Sequence, residues 1–347
     1  MAYESLQYPQ PAPEPGQFTT VAPGVHWIRL PMPFRLNHIN VWGLEDGDGW
    51  TLVDTGVRTD ETAAAWQHLL AAPPFDRPLR RIVITHMHPD HIGMAGWLSR
   101  KSGARLWISR LEYLACRVLV SDTSRDAPPD ALRFFHEAAW STDAVDEYRA
   151  RFGNFGKNIH ALPDSFRRIV DREVIRIGAH DWEVVAGKGH SPEHSCLYSR
   201  ELKLLISGDQ VLPKISSNVS VHPIEPDANP MADWLDSLTL LERRVPDDVL
   251  VLPAHNECFR GLHARIDALA RGQETSLVRL RRSLAEPKRA VDVFGALFAR
   301  PIGETDVPLL GMATGEGIAC LNHLVHRGEA SCSLDADGVA WYRLAAA

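Results

Sequence analysis

Three histidines and an aspartate lie within six residues of one another, in the segment His86-Met87-His88-Pro89-Asp90-His91. The apolar run 81–84 comes just before it, so we expect a buried strand, a loop and then a helix from about 91 to 100. His86 and His88 are two residues apart in the extended part and therefore point to the same side of the chain. Imidazoles together with a carboxylate are ligands that zinc and similar divalent cations take, so the segment predicts a metal site.

Three further candidate ligands also follow predicted strands, and they are His190, Asp209 and His255. Each alone is more often a hydrogen-bonded loop residue than a ligand. Together with the four residues of the first segment they make seven ligands. Seven are too many for one tetrahedral ion and suit two ions that share a bridging carboxylate.

The elements that must position these side chains are short strands alternating with helices. From 18 to 260 the pattern is that of an α/β body, in which 109–170 has helical periodicity and is interpreted as an insertion. Within the insertion the pattern predicts a continuous helix over 131–152. Residues 1–17 carry four prolines and no periodic pattern, which predicts an extended arm.

Residues 261–347 form a separate C-terminal unit in this interpretation. A long helix over 262–285 precedes a helix, a short helix, a helix and two strands, the order of a small winged-helix unit. Arg260–Arg300 holds nine basic and four acidic residues, a local balance of +5, whereas Gly315–Arg343 holds two basic and four acidic residues. A nucleic-acid surface needs Lys and Arg to neutralise phosphates, so the acidic part predicts a structural unit rather than a nucleic-acid reader.

The composition is that of an ordinary globular protein of 347 residues, with Lys+Arg 37, Asp+Glu 44 and a formal net charge of −7. This balance makes bulk binding to nucleic acid unfavourable. The five cysteines are scattered, which predicts reduced thiols rather than a disulfide framework. The sequence has no run of 18 apolar residues and no visible secretory signal, so we expect a cytoplasmic protein without a membrane span.

The order of these motifs resembles the metallo-β-lactamase fold superfamily of hydrolases. The residues that carry the resemblance are H-x-H-x-D-H at 86–91, GHSPEH at 189–194, S-G-D at 207–209, His255, and the upstream Leu52–Gly56 loop. It covers about 25 to 260 and implies a four-layer αββα sandwich with the metal site at one edge of its two sheets. The C-terminal unit and the segment 208–218 resemble the subgroup around lactamase-β-like protein 2, some of whose members cleave RNA.

The resemblance also implies a role for each ligand. His86, His88 and His190 would hold one ion, Asp90, His91 and His255 would hold the other, and Asp209 would bridge the two. Asp54 would orient the ligand loop from behind, although a turn-capping aspartate is an equal alternative. No cysteine replaces Asp90 or Asp209, which argues against an antibiotic-destroying member. Zinc is the expected metal, with iron or manganese as alternatives.

Four residues near the ligands have open roles. Glu193 replaces the glycine that many relatives have before His194, so these two side chains reach the mouth of the pocket or pair with each other. Lys214 and Asn218 follow the bridging aspartate and are candidate contacts for a substrate anion, with a solvent-facing lysine as the alternative.

These observations predict a hydrolase with two divalent ions that uses a metal-bound hydroxide to cleave a small ester, thioester or lactone. Asp90 would orient the attacking group and Asp209 would complete the catalytic pair. One alternative is a phosphodiesterase or endoribonuclease with the same ligands, which would need a basic track from 260–300 to the metals. A second alternative is a metal-binding sensor without activity. The expected partners are a small-molecule substrate and, in a homodimer, a second copy of the chain.

Overall fold

The computed structural model describes residues 6–345 of the chain. Seven of the strands in this range form one sheet, in chain order. Because β4, β5 and β6 are mutually parallel, their carboxyl ends lie at the same edge of the sheet. The seven strands are β1 (Phe18–Ala22), β2 (Val25–Pro31), β3 (His38–Asp46), β4 (Gly49–Val53), β5 (Leu79–Val83), β6 (Arg105–Ile108) and β7 (Arg167–Arg168).

A second sheet holds five strands of the described range in the order β12-β11-β10-β9-β8. In this sheet β11 and β12 are parallel, so they also end at a common edge. The sheets meet there: the amide of Ser195 donates to the carbonyl of Thr85, at 2.8 Å. The strands are β8 (Val174–Ile177), β9 (His180–Gly187), β10 (His194–Ser199), β11 (Leu204–Gly208) and β12 (Leu250–Pro253).

Alternating side chains of both sheets fill the space between them. Trp42 on β3 and Trp182 on β9 face this central layer and are fully buried, while Val41 and Val185 face the outer helices. Successive strand residues point to opposite faces, so strands that are apolar on both faces need helices on the outside. The structure supplies them on both sides, which confirms the αββα sandwich.

The outer helices divide between the two sheets. On the first sheet, buried residues of the helices pack in one cluster with Val41, Leu52 and Leu106. On the second sheet, helices pack in another cluster with Val185 and Leu205. The helices on the first sheet are α1 (Asp60–Leu69), α3 (Ala95–Ser102) and α4 (Arg110–Ser121), and those on the second are α7 (Pro230–Arg244) and α8 (Leu262–Ser283).

The insertion contains two short helices, α5 (Pro129–Glu137) and α6 (Thr142–Arg151), where the sequence predicted one continuous helix. That prediction was wrong because Ala139 has a φ of 68°, a left-handed conformation that ends a helix. The hydroxyl of Ser141 then accepts a hydrogen bond from the amide of Ala144 and starts α6. The insertion ends at β7, which returns the chain to the first sheet.

The C-terminal unit follows the expected order except that a 3₁₀ turn (Ala290–Val293) replaces the first helix predicted after α8. After α8 come a 3₁₀ turn, α9 (Phe294–Leu297), α10 (Val307–His326) and the antiparallel pair β13 (Ala330–Leu334) and β14 (Ala340–Leu344). The Nε1–H of Trp140 donates to Oγ1 of Thr314 at 2.9 Å, so α10 also packs against the insertion. Whether this unit acts as a winged helix stays a prediction.

The described part of the N-terminal arm lies on the body. Gln7 and Arg260 form a β-bridge, and Leu6 is buried in the cluster of the second sheet. The predicted boundary at residue 17 lies next to β1, and residues 1–5 lie outside the described range. Within residues 6–345 no helix is long and apolar enough to cross a membrane.

Candidate metal centre

The H-x-H-x-D-H segment lies at the carboxyl end of β5. The chain bends at Thr85 and Met87 and is extended at His88. Pro89 then starts the short helix α2 (Pro89–Ile92), where a residue without an amide hydrogen is tolerated because the first-turn amides have no partner within the helix. A second helix, α3, follows after Gly93 and Met94, so the helix predicted over 91–100 is interrupted. This arrangement buries His86 and His91 completely while Asp90 keeps some exposure.

Three imidazoles form what we call the first group: His86, His88 and His190. Nε2 of His86 lies 2.9 Å from Nδ1 of His88 and 3.2 Å from Nε2 of His190. Burial, followed by the charge of His190, lowers the pKa of His88 to about 3. Burial and the neighbouring imidazoles lower the pKa of His86 as well. His86 and His88 are therefore held as neutral imidazoles with free lone pairs, the form in which histidine binds a metal.

Asp90, His91 and His255 form what we call the second group. Oδ2 of Asp90 lies 3.7 Å from Nε2 of His91 and 3.3 Å from Nε2 of His255. Burial alone would raise the pKa of Asp90, but the charge of His91 and the hydrogen bond from His255 lower it to about 2. Burial would also lower the pKa of His255, but Asp209 and Asp90 raise it to about 9.

Asp209 lies between the two groups. Its Oδ1 is 3.6 Å from Nε2 of His91 and 3.5 Å from Nε2 of His255, in the second group. Its Oδ2 is 3.4 Å from Nε2 of His190, in the first group. The two carboxylate oxygens thus face different groups, the arrangement of a carboxylate that bridges two cations.

The residues present fit divalent cations. Nε2 of His91 and Oδ1 of Asp209 are buried polar atoms that have no hydrogen-bond partner within residues 6–345. Buried polar atoms are normally paired, so such atoms facing one another indicate a site for an absent group. In each of three sets the potential ligand atoms lie within 4.8 Å of one another, and together the sets contain all seven predicted ligands. Their nitrogen and carboxylate chemistry suits zinc and also iron or manganese.

Asp54 lies behind the second group. Its Oδ2 is 2.7 Å from Nδ1 of His91, and its two oxygens accept hydrogen bonds from the amide and the hydroxyl of Thr85, each at 2.8 Å. A carboxylate on the far nitrogen of a histidine fixes the ring and its tautomer. Asp54 therefore orients His91 towards the centre, and of the two interpretations of its sequence position the geometry favours this one over turn capping.

Backbone carbonyls orient two of the other histidines. Nδ1 of His190 donates to the carbonyl of Asn218 at 2.7 Å, and Nδ1 of His255 donates to the carbonyl of His38 at 3.0 Å. Both rings consequently present Nε2 to the centre. The side chain of Asn40 donates to the carbonyls of Pro253 and Asn256, which holds the loop that carries His255.

His194 and Glu193 bond to different partners in the structure. Nε2 of the fully buried His194 accepts a hydrogen bond from the amide of Asp209 at 3.1 Å, so this ring supports the bridging residue. Glu193 points away, and its Oε2 accepts from the amide of Leu111 on α4. The partners of His194 and Glu193 thus lie on different elements, and a role for either residue at the site stays a prediction.

Glu112 is a buried carboxylate that the sequence did not single out. It accepts hydrogen bonds from the amide of Met87 at 2.9 Å, and from the hydroxyl of Ser191 and the amide of Glu193 at 2.7 Å. It thereby joins the loop of His86 and His88 to the loop of His190. Burial raises the pKa of Glu112, although these three hydrogen bonds act against that.

The two candidate substrate contacts are both engaged within the protein. Nζ of Lys214 lies 2.7 Å from Oε2 of Glu257 and 5.3 Å from the ring centre of Tyr8. The side chain of Asn218 donates to Oε2 of Glu316 at 3.0 Å and accepts from the hydroxyl of Ser220. The structure thus places Asn218 behind His190, and a substrate contact for either residue stays a prediction.

The geometry defines a two-sheet hydrolase fold with a His/Asp centre at one edge. The chain matches the metallo-β-lactamase superfamily over residues 35–255 and the metallo-β-lactamase-like C-terminal domain over residues 277–345. The chain belongs to the metallo-β-lactamase superfamily. This confirms the resemblance seen in the sequence, and the family together with the His/Asp centre makes the chain a metallo-hydrolase.

Two solved structures are similar to this one. A β-lactamase domain protein from Burkholderia ambifaria matches over 99% of both chains with a TM-score of 0.90 and 36% sequence identity. A metallo-β-lactamase family protein from Thermus thermophilus matches over 94% of this chain and 100% of its own, with a TM-score of 0.77 and 24% identity. The first match includes the C-terminal unit, so body and unit occur together in that protein.

Two curated relatives also match the chain. The probable metallo-hydrolase YqjP of Bacillus subtilis (strain 168) is 27% identical over 284 residues, which are 78% of this chain and 84% of that protein. The atrochrysone carboxyl ACP thioesterase of Aspergillus fumigatus is 22% identical over 234 residues, which are 67% of this chain and 41% of that protein.

Proposed function

We propose that the chain is a hydrolase with two divalent ions that cleaves a small ester, thioester or lactone. The observation that carries this proposal is the position of Asp209, whose two oxygens face two separate ligand groups. In this proposal the first group binds one ion and the second group the other, with zinc as the expected metal. When bound, two such ions lower the pKa of a water molecule towards about 7 and stabilise negative charge on a substrate oxygen.

The protein's own residues prepare the site for that chemistry. The pKa of Asp90, lowered to about 2, keeps this carboxylate ionised at neutral pH. Its side chain is 20% exposed, whereas those of Asp209 and His91 are 10% and 0% exposed. We therefore assign to Asp90 the orientation of the attacking water, because its carboxylate can accept a hydrogen bond from solvent. Asp209 holds the two groups at a fixed separation.

The charge distribution supports a small carbonyl substrate over a polynucleotide. Six of the nine basic residues in 260–300 make hydrogen bonds within the protein, and these six are Arg260, Arg265, Arg271, Arg279, Arg281 and Arg289. Arg265 is buried and donates to the carbonyls of Leu212 and Ile215. Because these side chains already bond within the protein, fewer of them can contact a phosphate backbone, whose binding needs many Lys and Arg contacts.

A thioester is the most specific form of the proposal. The relative from Aspergillus is named a thioesterase, and the relative from Bacillus is named only a probable metallo-hydrolase. The second candidate is a phosphodiesterase or endoribonuclease with the same ligands, as some members of the resembling subgroup suggest. A third is a metal-binding sensor without activity, which the complete set of seven ligands disfavours.

The test begins with metal analysis of the purified protein, where we expect about two ions per chain. A panel of thioester, ester, lactone, phosphodiester and RNA substrates then separates the candidates. Asp209→Ala removes the residue shared by both groups and should abolish tight binding of both ions together with activity. Asp126→Ala is the matched control, because Asp126 is an exposed loop residue.

Each outcome has a distinct meaning. Full activity in the metal-free protein would exclude the proposed mechanism. RNA cleavage that weakens steeply with salt would favour the nuclease, because phosphate contacts release counterions. If the protein binds two ions but cleaves none of the substrates in the panel, the metal-binding sensor is favoured.

A further inference from the structure

Helix α10 of the C-terminal unit lies directly on the loop that follows the bridging aspartate. The amide of Val221 donates to the carbonyl of Gly315 at 3.0 Å. A Cβ atom at Gly315 would lie 2.7 Å from the carbonyl oxygen of Val221 and 2.8 Å from Cβ of Ser220. A side chain at this position would push the helix away from the loop, so the close approach depends on the glycine.

The next residue of α10 continues this contact towards the metal centre. Oε2 of Glu316 accepts a hydrogen bond from Nδ2 of Asn218 at 3.0 Å. The Oδ1 atom of Asn218 accepts from the hydroxyl of Ser220, so both ends of the amide group are fixed. The backbone carbonyl of Asn218 accepts the Nδ1 hydrogen of His190 at 2.7 Å. A continuous hydrogen-bonded chain thus runs from α10 through Asn218 to a candidate ligand.

The surroundings of Glu316 are unfavourable for a carboxylate. Burial raises its pKa to about 7, and the hydrogen bond from Asn218 offsets this only in part. Among residues 6–345, Asn218 is the group that acts against this rise, and no Lys or Arg lowers the pKa of Glu316. Glu316 is partly buried, and placing a carboxyl group away from water without a cation partner costs free energy that its hydrogen bond to Asn218 only partly offsets.

We propose that Glu316 is a positioning residue of the metal centre: it fixes Asn218 and, through the Asn218 carbonyl, the tautomer and orientation of His190. The C-terminal unit is then part of the centre, although it supplies none of the seven ligands. This inference rests on the proposed function, because it requires that the first group binds an ion. Partners behind a metal ligand commonly change metal affinity by about 10–100-fold when they are removed.

The test compares substitutions at Glu316 in the full-length protein. Glu316→Ala removes the acceptor, Glu316→Met removes it while keeping the length of the side chain, and Glu316→Gln keeps an acceptor oxygen for Asn218. Glu304→Ala is the control, because Glu304 is an exposed residue of the same unit. Zinc affinity is measured on metal-free protein by competition with a chelator. Cobalt substitution reports the coordination of each ion through its visible absorption.

We expect the alanine and methionine variants to bind one of the two ions about tenfold more weakly and to change the cobalt spectrum of that ion only. The glutamine variant should stay within about twofold of wild type, at the level of the control. If the alanine variant does not fold, the methionine variant decides by the same criterion. The inference is overturned if a folded alanine or methionine variant binds zinc with wild-type affinity and shows the wild-type cobalt spectrum. Wild-type protein that binds no ions at all instead overturns the proposed function.

Discussion

The two groups of the candidate centre are held by different parts of the molecule. Residues of the first sheet support the second group. Asp54, next to the end of β4, orients His91, and the carbonyl of His38 at the start of β3 orients His255. Behind the first group stands the loop around Asn218, which α10 of the C-terminal unit holds in place. A carboxylate supports one group directly, whereas a chain of hydrogen bonds from another unit supports the other. Because Asp209 faces both groups, losing one support should weaken the ion of its own group more than the other ion.

The largest effect should come from Asp54→Ala. The substitution removes the partner of buried His91 and both acceptors of Thr85, so we expect the free energy of unfolding to fall by roughly 3–5 kcal/mol. The ion at the second group should bind about 10–100-fold more weakly, while the other ion is retained. Chemical denaturation and metal titration measure the two effects, with Asp126→Ala as the control. Equal weakening of both ions in a folded variant would contradict this difference between the groups.

Gly315→Ala should disturb the first group rather than the second. The new methyl group would push α10 from the loop of Ser220 and Val221, and such overpacking costs about 1–3 kcal/mol of unfolding free energy. The ion at the first group should then bind more weakly and the other should not change.

Gly311→Ala on the same helix is the matched control. Its Cβ atom would meet only the ring of Trp140 at 3.8 Å, an ordinary contact. Alanine is the better helix former, so this variant should gain roughly 0.5–1 kcal/mol of stability. If the Gly315 variant behaved like the Gly311 variant, the close contact between α10 and the loop would not matter.

The smallest effect concerns pH and Glu316. Its pKa is raised from 4.5 in the unfolded chain to about 7 in the folded protein, so the folded state binds the proton more tightly. The corresponding stability is complete below pH 4.5 and is lost as the pH rises to 7. Relative to Glu316→Gln, wild-type protein should lose roughly 1 kcal/mol across this range, since the side chain is partly exposed. Equal pH profiles of melting temperature in the two proteins would refute the shift.

The sequence was sufficient to predict the fold and the position of all seven candidate ligands. The reason is local: His86, His88, Asp90 and His91 are close in sequence, and the other ligands directly follow apolar runs that form strands. Of the groups behind them it indicated Asp54 but not the others. The carbonyl of Asn218 carries no side-chain signal, and Glu112 meets the two histidine loops only after the insertion has folded. The end of α5 could not be predicted either, because the left-handed residue there is an alanine, Ala139, and not a glycine.

The path from α10 to His190 also bears on the order of folding. His86, His190, Asn218 and Glu316 come from four distant parts of the chain, and contacts between such segments form late because long loops must close first. The second group likewise needs His255 from the end of the body, but it does not wait for the C-terminal unit. We therefore expect refolding protein to take up its two ions in sequence, with the ion of the first group held tightly only after α10 has docked.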